Sequence, residues 1–326
     1  MTGTARLEPS AAELGFEQHR TELTAYCYRM LGSAFEAEDA VQETLVRAWR
    51  SFDRFEGRSS LRSWLYRIAS NVCFDMLKGR KRRALPIDFM PVGKADGHFD
   101  PPLPESTWIG PIPDGRVMNA TGDPAEEAVE RESVRLAFVA ALQHLPPRQR
   151  SVLILREVLR WKADEVAELL ETTVVSVNSA LQRARSTLAD HDLTADSAPQ
   201  PIDAAQQELL ARYVDAFERF DVDALVSLLH DDATMSMPPY PLWLRGAGEF
   251  GTWLRGPGSE CEGSRIVPIE ANGAPAFAQW RVDPEGGYTA WSIHVLQLSD
   301  GRITAIDYFV DPNLFPLFDL PIRLDA

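Results

Sequence analysis

Eight prolines fall between Pro86 and Pro124, and no helical or strand period survives across that stretch. Proline fixes φ and removes a backbone donor, so neither a long helix nor a central strand can run through such a segment. The chain must therefore fold as separate parts on either side, with residues 84–122 as an extended connector. At 326 residues, and roughly 150 residues per domain, about two domains are expected, with enough chain for two real cores.

The flanking parts differ in texture. Residues 16–83 carry successive helical periods: Val41, Leu45, Ala48 and Phe52 step by four, three and four, opposite Asp39, Gln42, Glu43, Arg47 and Arg50. The serines after Phe55-Glu-Gly-Arg can cap the next helix, which starts near Leu61 and ends in the basic run 78–83. Residues 124–189 return to helix, with spans over Glu126–Leu145, Arg148–Leu159 and Ala163–Leu170, and a last helix from Val174. Residues 190–202 form a second, short, polar linker. From Asp203 two helices (Ala204–Phe220 and Val222–Leu229) precede short alternating runs at Thr234–Met237, Ser264–Ala271, Ala276–Val282, Tyr288–Leu298 and Ile303–Phe309, joined by Asn-Gly and Asp-Gly turns. The expected fold class is multidomain, all-α modules followed by an α+β domain.

The net charge of −15 is unevenly spread. Residues 16–83 hold 13 Lys/Arg against 9 Asp/Glu, whereas residues 190–326 hold 8 against 22. An acidic total thus does not exclude nucleic acid as a partner, because the first half is locally basic. No run of about 18 apolar residues marks a membrane span. The N-terminus lacks the cationic start and apolar stretch of a secretory signal. Cys27, Cys73 and Cys261 are too few and too far apart for a disulfide framework or a structural zinc site. A cytoplasmic protein without metal or cofactor is expected.

Two segments have the chemistry of nucleic-acid contact. In Trp161–Leu188, two short helices with a three-residue turn have the dimensions of a helix-turn-helix. Val177, Leu181, Ala184 and Leu188 form the apolar stripe of the second helix and leave Ser176, Asn178, Ser179, Gln182, Arg183 and Arg185 outward, residue types that read base edges and phosphates. Thr173 is positioned as its N-cap. In Phe55–Arg83, the aromatics Trp64, Tyr66 and Phe74 interleave with Arg58, Arg62, Arg67 and the basic run, as single-stranded DNA requires. The alternative for each is an amphipathic hairpin and a solvated helix end.

Taken in order, residues 16–189 resemble the extracytoplasmic-function (ECF) sigma factors, promoter-recognition subunits of bacterial RNA polymerase. Ala37-Glu-Asp-Ala-Val-Gln-Glu-Thr44 with Ala48-Trp49 is similar to that family's core-polymerase-binding helix. Gly57-Arg-Ser-Ser-Leu-Arg-Ser-Trp-Leu65 with Ile68-Ala-Ser-Asn71 and Asp75 is similar to its promoter-melting and −10 segment. Leu145-Pro-Pro-Arg-Gln-Arg150 and Val174–Arg185 are similar to its −35 domain. The resemblance implies that 16–83 is sigma region 2 and 124–189 sigma region 4. It implies contacts of Asp39, Gln42 and Glu43 with the β′ clamp helices of core polymerase, and of region 4 with the β flap. Gly57, Arg58, Ser59, Ser60, Arg62, Trp64 and Asn71 would meet the −10 strand, where a flipped base costs a few kcal/mol to unstack. Ser176, Asn178, Ser179, Gln182, Arg183 and Arg185 would enter the −35 major groove, and the connector would thread into the RNA exit path. The chain departs from the family at Glu171, where the turn usually has glycine, and at Asn178 and Ala180, where cations are common.

Residues 203–326 resemble the SnoaL-like, ketosteroid-isomerase-like α+β cone fused to some of these sigma factors. The resemblance rests on two leading helices, a curved-sheet pattern and Trp243-Leu-Arg-Gly246, with Asp311–Phe318 as an apolar tail. It implies a pocket lined by Tyr240, Trp243, Trp280, Tyr288, Trp291, His294 and Asp307, for a small ligand of unknown identity. A tethered regulator contacting the sigma domains is expected rather than an enzyme. The rival expectation is a small-molecule enzyme, with Asp307 or His294 as general base, fused to a helix-turn-helix regulator.

Overall fold

The computed structural model describes residues 15–57, 59–96, 100–118, 124–189 and 203–325. The chain divides into two compact units. One comprises residues 1–80, 116–120 and 142–192; the other comprises 81–115, 121–141 and 193–326.

In the first unit, α1 (Arg20–Leu31), α2 (Ala34–Ser51) and α3 (Leu61–Leu77) form a three-helix core. Gly32 stops α1 in a left-handed conformation, with φ 74°, and its N–H returns to the Tyr28 carbonyl. Ser33 and Ser60 cap α2 and α3. Val41, Leu45 and Ala48 are buried, so the apolar stripe of α2 faces inward as its spacing requires.

After a single turn, α4 (Asp114–Val117), come α5 (Pro124–Val134), α6 (Leu136–Gln143), α7 (Pro147–Leu153), α8 (Ala163–Leu169) and α9 (Val174–Ala189). The helix expected over 148–159 is α7 followed by a π-helical turn, Ile154–Val158, and Arg160 with φ 56°. Helices α7 and α8 pack on α1 and α3. The Tyr26 hydroxyl is within hydrogen-bond distance of Ser70 Oγ (2.7 Å) and Ser151 Oγ (2.8 Å). Arg150, 3% exposed, donates to the Met30 carbonyl, Gln143 Oε1 and the Gln143 and Leu145 carbonyls. Burial lowers its pKa to about 10, and it stays charged.

The second unit is built on a mostly antiparallel sheet of β1 (Leu229–Ser236), β2 (Trp243–Arg245), β3 (Arg265–Ala271), β4 (Ala274–Val282), β5 (Tyr288–Ser299), β6 (Arg302–Phe309) and β7 (Arg323–Leu324). The order is β2-β1-β6-β5-β4-β3, with β7 on β5 and one parallel pair, β1–β6. Helices α10 (Ala204–Glu218), α11 (Val222–Leu228) and α12 (Ala247–Arg255) cover one face through Tyr213, Leu225, Phe250, Phe277, Leu296, Ile306 and Tyr308. On the other face Trp280 packs edge-on against Phe315 of the 3₁₀ tail Pro312–Phe318, at 4.9 Å between ring centres.

The proline-rich connector is not a free tether. Gly93 N–H donates to the Trp243 carbonyl (2.8 Å) and Trp243 Nε1 to the Met90 carbonyl (2.7 Å). Ala95 N–H donates to Glu249 Oε2 (2.8 Å), and Leu103 N–H to the Pro239 carbonyl (2.9 Å). Asn272 exchanges two bonds with Ile112, through its backbone N–H and its side-chain oxygen, each 3.1 Å. Extended, proline-rich backbone cannot satisfy itself, so it pairs with β2, α12 and the turns at Pro239 and Asn272 in the C-terminal domain.

Candidate nucleic-acid interface

The segment expected at the −10 element begins at the exposed Gly57, whose φ of 67° suits glycine. Arg58 lies outside the described residues. Ser60 caps α3, accepting from Ser63 N–H at 3.1 Å, with Ser59 half-buried beside it and Asn71 exposed about three turns on. The structure revises two expectations here. Trp64 is 7% exposed and packs among Phe16, Phe52 and Phe55, the last at 4.9 Å. Its ring is a support for the loop, while the half-buried Phe55 lies nearer solvent. Arg62 is not a free cation: it bonds Glu22 (2.7 Å) and lies over the rings of Tyr66 (5.3 Å) and Trp161 (5.2 Å). The basic run is also partly spent. Lys78 pairs with Asp75 and Arg80 with Glu36, and Arg83, 5% exposed, turns into the connector to bond Glu105 and the Trp108 carbonyl.

Asp39, Gln42 and Glu43 are exposed on α2, with Glu43 held by Arg47 at 2.7 Å. Trp49, not singled out as a surface residue by its pattern, is 41% exposed and extends this stripe with an apolar surface. Acidic side chains are repelled by the phosphate backbone of DNA, and an exposed aromatic ring is of a type enriched at protein interfaces.

Helices α8 and α9 form the helix-turn-helix. Glu171 occupies the turn position with φ 51°, the conformation for which glycine is the easy choice. Thr173 Oγ1 accepts from Ser176 N–H at 3.1 Å, the expected N-cap. Val177, Leu181 and Ala184 are buried and Leu188 half-buried. Ser176, Asn178, Gln182, Arg183 and Arg185 are exposed and Ser179 half-buried; Arg185 is tied to Glu157 at 2.6 Å. Sequence reasoning passed over Val174 and Val175, 41% and 74% exposed in the first turn.

The seven residues expected to line one pocket do not converge. His294 is fully buried on the helix-covered face, where Nδ1 meets Tyr213 Oη (3.0 Å) and Nε2 meets Gln279 Oε1 (2.9 Å) and Ser292 Oγ (3.0 Å). Burial lowers its pKa to about 3, so it is neutral. His294 sits opposite Tyr308 in the β5–β6 ladder, and Asp307 opposite Val295. Successive strand residues face opposite ways, so Asp307 lies on the other face, donated to by Ser236 Oγ at 2.5 Å and raised to about 6 by burial. Trp243 and Trp280 share that second face. Trp291 and Tyr288 are half-buried under Arg281 and Arg265, and Tyr240 borders the helix-side core. A cleft of about 670 Å³ does open in this unit, between α10 and the strands, but it is lined by Asp114, Arg131, Leu210, Val214, Phe277 and Leu296 among others and by none of the seven. No cluster of metal-ligating side chains occurs among the described residues, and no helix among them is long and apolar enough to cross a membrane.

Comparison with known proteins places these parts in order. The chain matches Sigma-70 region 2 over residues 16–83, Sigma-70 region 4 over 135–188 and a SnoaL-like domain over 210–306. It is 45% identical over 312 residues to the ECF RNA polymerase sigma factor SigG of Mycobacterium tuberculosis strain H37Rv, spanning 94% of this chain and 83% of that protein. It is 30% identical over 221 residues to SigJ of the same organism, 68% of this chain and 63% of that one. The crystal structure of SigJ shares its fold, with a TM-score of 0.59 over 95% of this chain and 99% of that chain at 22% identity. A helix-turn-helix with an exposed polar face, a helix with an exposed acidic stripe and the length of the 45% match lead to one assignment: the chain belongs to the ECF RNA polymerase sigma factors and carries a SnoaL-like C-terminal domain.

Proposed function

We propose that this sigma factor reads the −10 element with the Gly57–Ser60 loop and Asn71 and the −35 element with the exposed face of α9. It docks on the β′ clamp helices of core polymerase through Asp39, Gln42, Glu43 and Trp49, and on the β flap through region 4, in the cytoplasm. Its C-terminal domain acts in cis on the connector and not as an enzyme. The observation that carries the cis role is the set of hydrogen bonds holding Met90, Gly93, Ala95, Leu103 and Ile112 of the connector to the C-terminal domain, at Trp243, Glu249, Pro239 and Asn272. A connector seated there is unavailable to the RNA exit path, so the domain holds the factor back until the connector is released. A non-catalytic role is supported by His294, neutral and bonded at both nitrogens, and by Asp307 lying across the sheet from it.

Asn272→Gly tests this. Asn272 has φ 55°, which glycine also adopts, while the side-chain bonds to Ile112 N–H and the Val134 carbonyl are lost. The variant is expected to bind core polymerase several-fold more tightly than the parent chain. Unchanged affinity, with residues 90–114 shown by hydrogen exchange to be released, contradicts the role.

A further inference from the structure

Val175 is the most exposed of the large apolar residues described, at 74%, and Val174 beside it is 41% exposed. A single exposed valine needs no explanation, but this one sits where an explanation is available. On a helix of 3.6 residues per turn, Val175 stacks with Asn178, Ser179 and Gln182 at spacings of three, four and seven. It lies on the side away from the buried Val177, Leu181 and Ala184. The stripe is otherwise polar, and Val175 leads it from the first turn, just after the Thr173 cap. β-Branched residues are poor helix formers, so neither packing nor helix propensity places a valine there. In a helix-turn-helix the N-terminal residues of the second helix touch base edges. The one apolar feature of a base edge in the major groove is the C5-methyl of thymine.

We propose that Val175 is a specificity-determining residue that reads a thymine methyl group in the −35 element. Asn178 and Gln182, further along the same stripe, supply the hydrogen bonds to neighbouring bases. The inference rests on the −35 reading of α9 and adds to it an apolar contact that the polar residues alone do not provide. Val174 lies between the Asn178 side of that stripe and the buried Leu181, and is not required for the choice of base.

The test uses the full chain bound to core polymerase. A −35 sequence is selected from a randomised promoter library, and each thymine in it is then replaced by uracil, which removes only the methyl group. For the parent chain, one such replacement is expected to weaken promoter binding about three- to fivefold, the worth of one buried methyl group. Val175→Ala, whose substituent favours the helix, is expected to bind the thymine and uracil promoters equally. An equal loss in Val175→Ala, or no uracil-sensitive position in the parent, overturns the inference while leaving the −35 reading in place. Selection of no −35 sequence at all overturns the −35 reading, and the inference with it.

Discussion

Arg183 and Arg185 are two residues apart on one helix and both were expected at DNA, yet their surroundings separate them. Arg185 is engaged by Glu157 at 2.6 Å, whereas Arg183 is exposed with no ion pair among the described residues. Arg183→Ala is therefore expected to cost about 1–3 kcal/mol of −35 binding if its guanidinium pairs with a base edge. Arg185→Ala should cost less and act mainly through phosphate attraction, reducing the salt slope. Equilibrium binding of the polymerase complex across a salt series measures both; equal losses would place both arginines on bases. These side-chain identities and their exposed face were legible from the period of α9. The Glu157 partner was not, because it comes from another turn of chain 28 residues away. The same gap explains Trp64. Its position among Arg and Ser suggested a stacking surface, but an aromatic at this point completes a cluster with Phe16, Phe52 and Phe55, and burial of a ring that size outweighs any local pattern.

At the scale of elements, the helix-turn-helix was readable because its signals are local: a spacing of four and three, a threonine cap and a short turn. Glu171 marks the one place where the local rule is broken. Its left-handed φ of 51° costs an L-residue roughly 1–2 kcal/mol, partly offset by the greater chain entropy that glycine loses on folding. Glu171→Gly is expected to raise the stability of the first unit by up to about 1 kcal/mol, read from its denaturation midpoint, with the −35 preference unchanged. A destabilised variant would mean that the Glu171 side chain supports the turn. Sheet topology was less legible. The strands were recognisable by alternation, but the register that sends His294 and Asp307 to opposite faces depends on ladder pairing, His294 opposite Tyr308 and Asp307 opposite Val295. The connector was least legible. Its prolines correctly excluded long helices, but an extended segment shows nothing in its own sequence of the surface that receives its backbone bonds.

At the scale of the molecule, the seat of the connector is expected to respond to pH through Asp114. Its carboxylate accepts Gly273 N–H at 2.7 Å, and burial, the larger effect, raises its pKa from 3.8 to about 6. A group raised in the seated state binds its proton there first. Its stabilisation is fully present below about pH 3.8 and lost as pH rises through about 6. Lowering the pH from 7 to 5 should thus tighten the seating of the connector, by on the order of 2 kcal/mol at most. Asp114→Asn keeps an acceptor for Gly273 and removes the charge. It is expected to be more tightly seated than the parent at pH 7 and to lose that advantage near pH 4, by hydrogen exchange across residues 100–115. A constant difference over that range would show that Asp114 does not titrate there.

The most direct measurement is run-off transcription with core RNA polymerase, comparing the full chain with a chain ending near residue 202 on the same genomic fragments. A sigma factor restrained by its C-terminal domain gives the same specific transcripts from both, in greater amount from the shorter chain. Specific transcripts from neither, with folded protein and active core enzyme, would contradict the account at its centre.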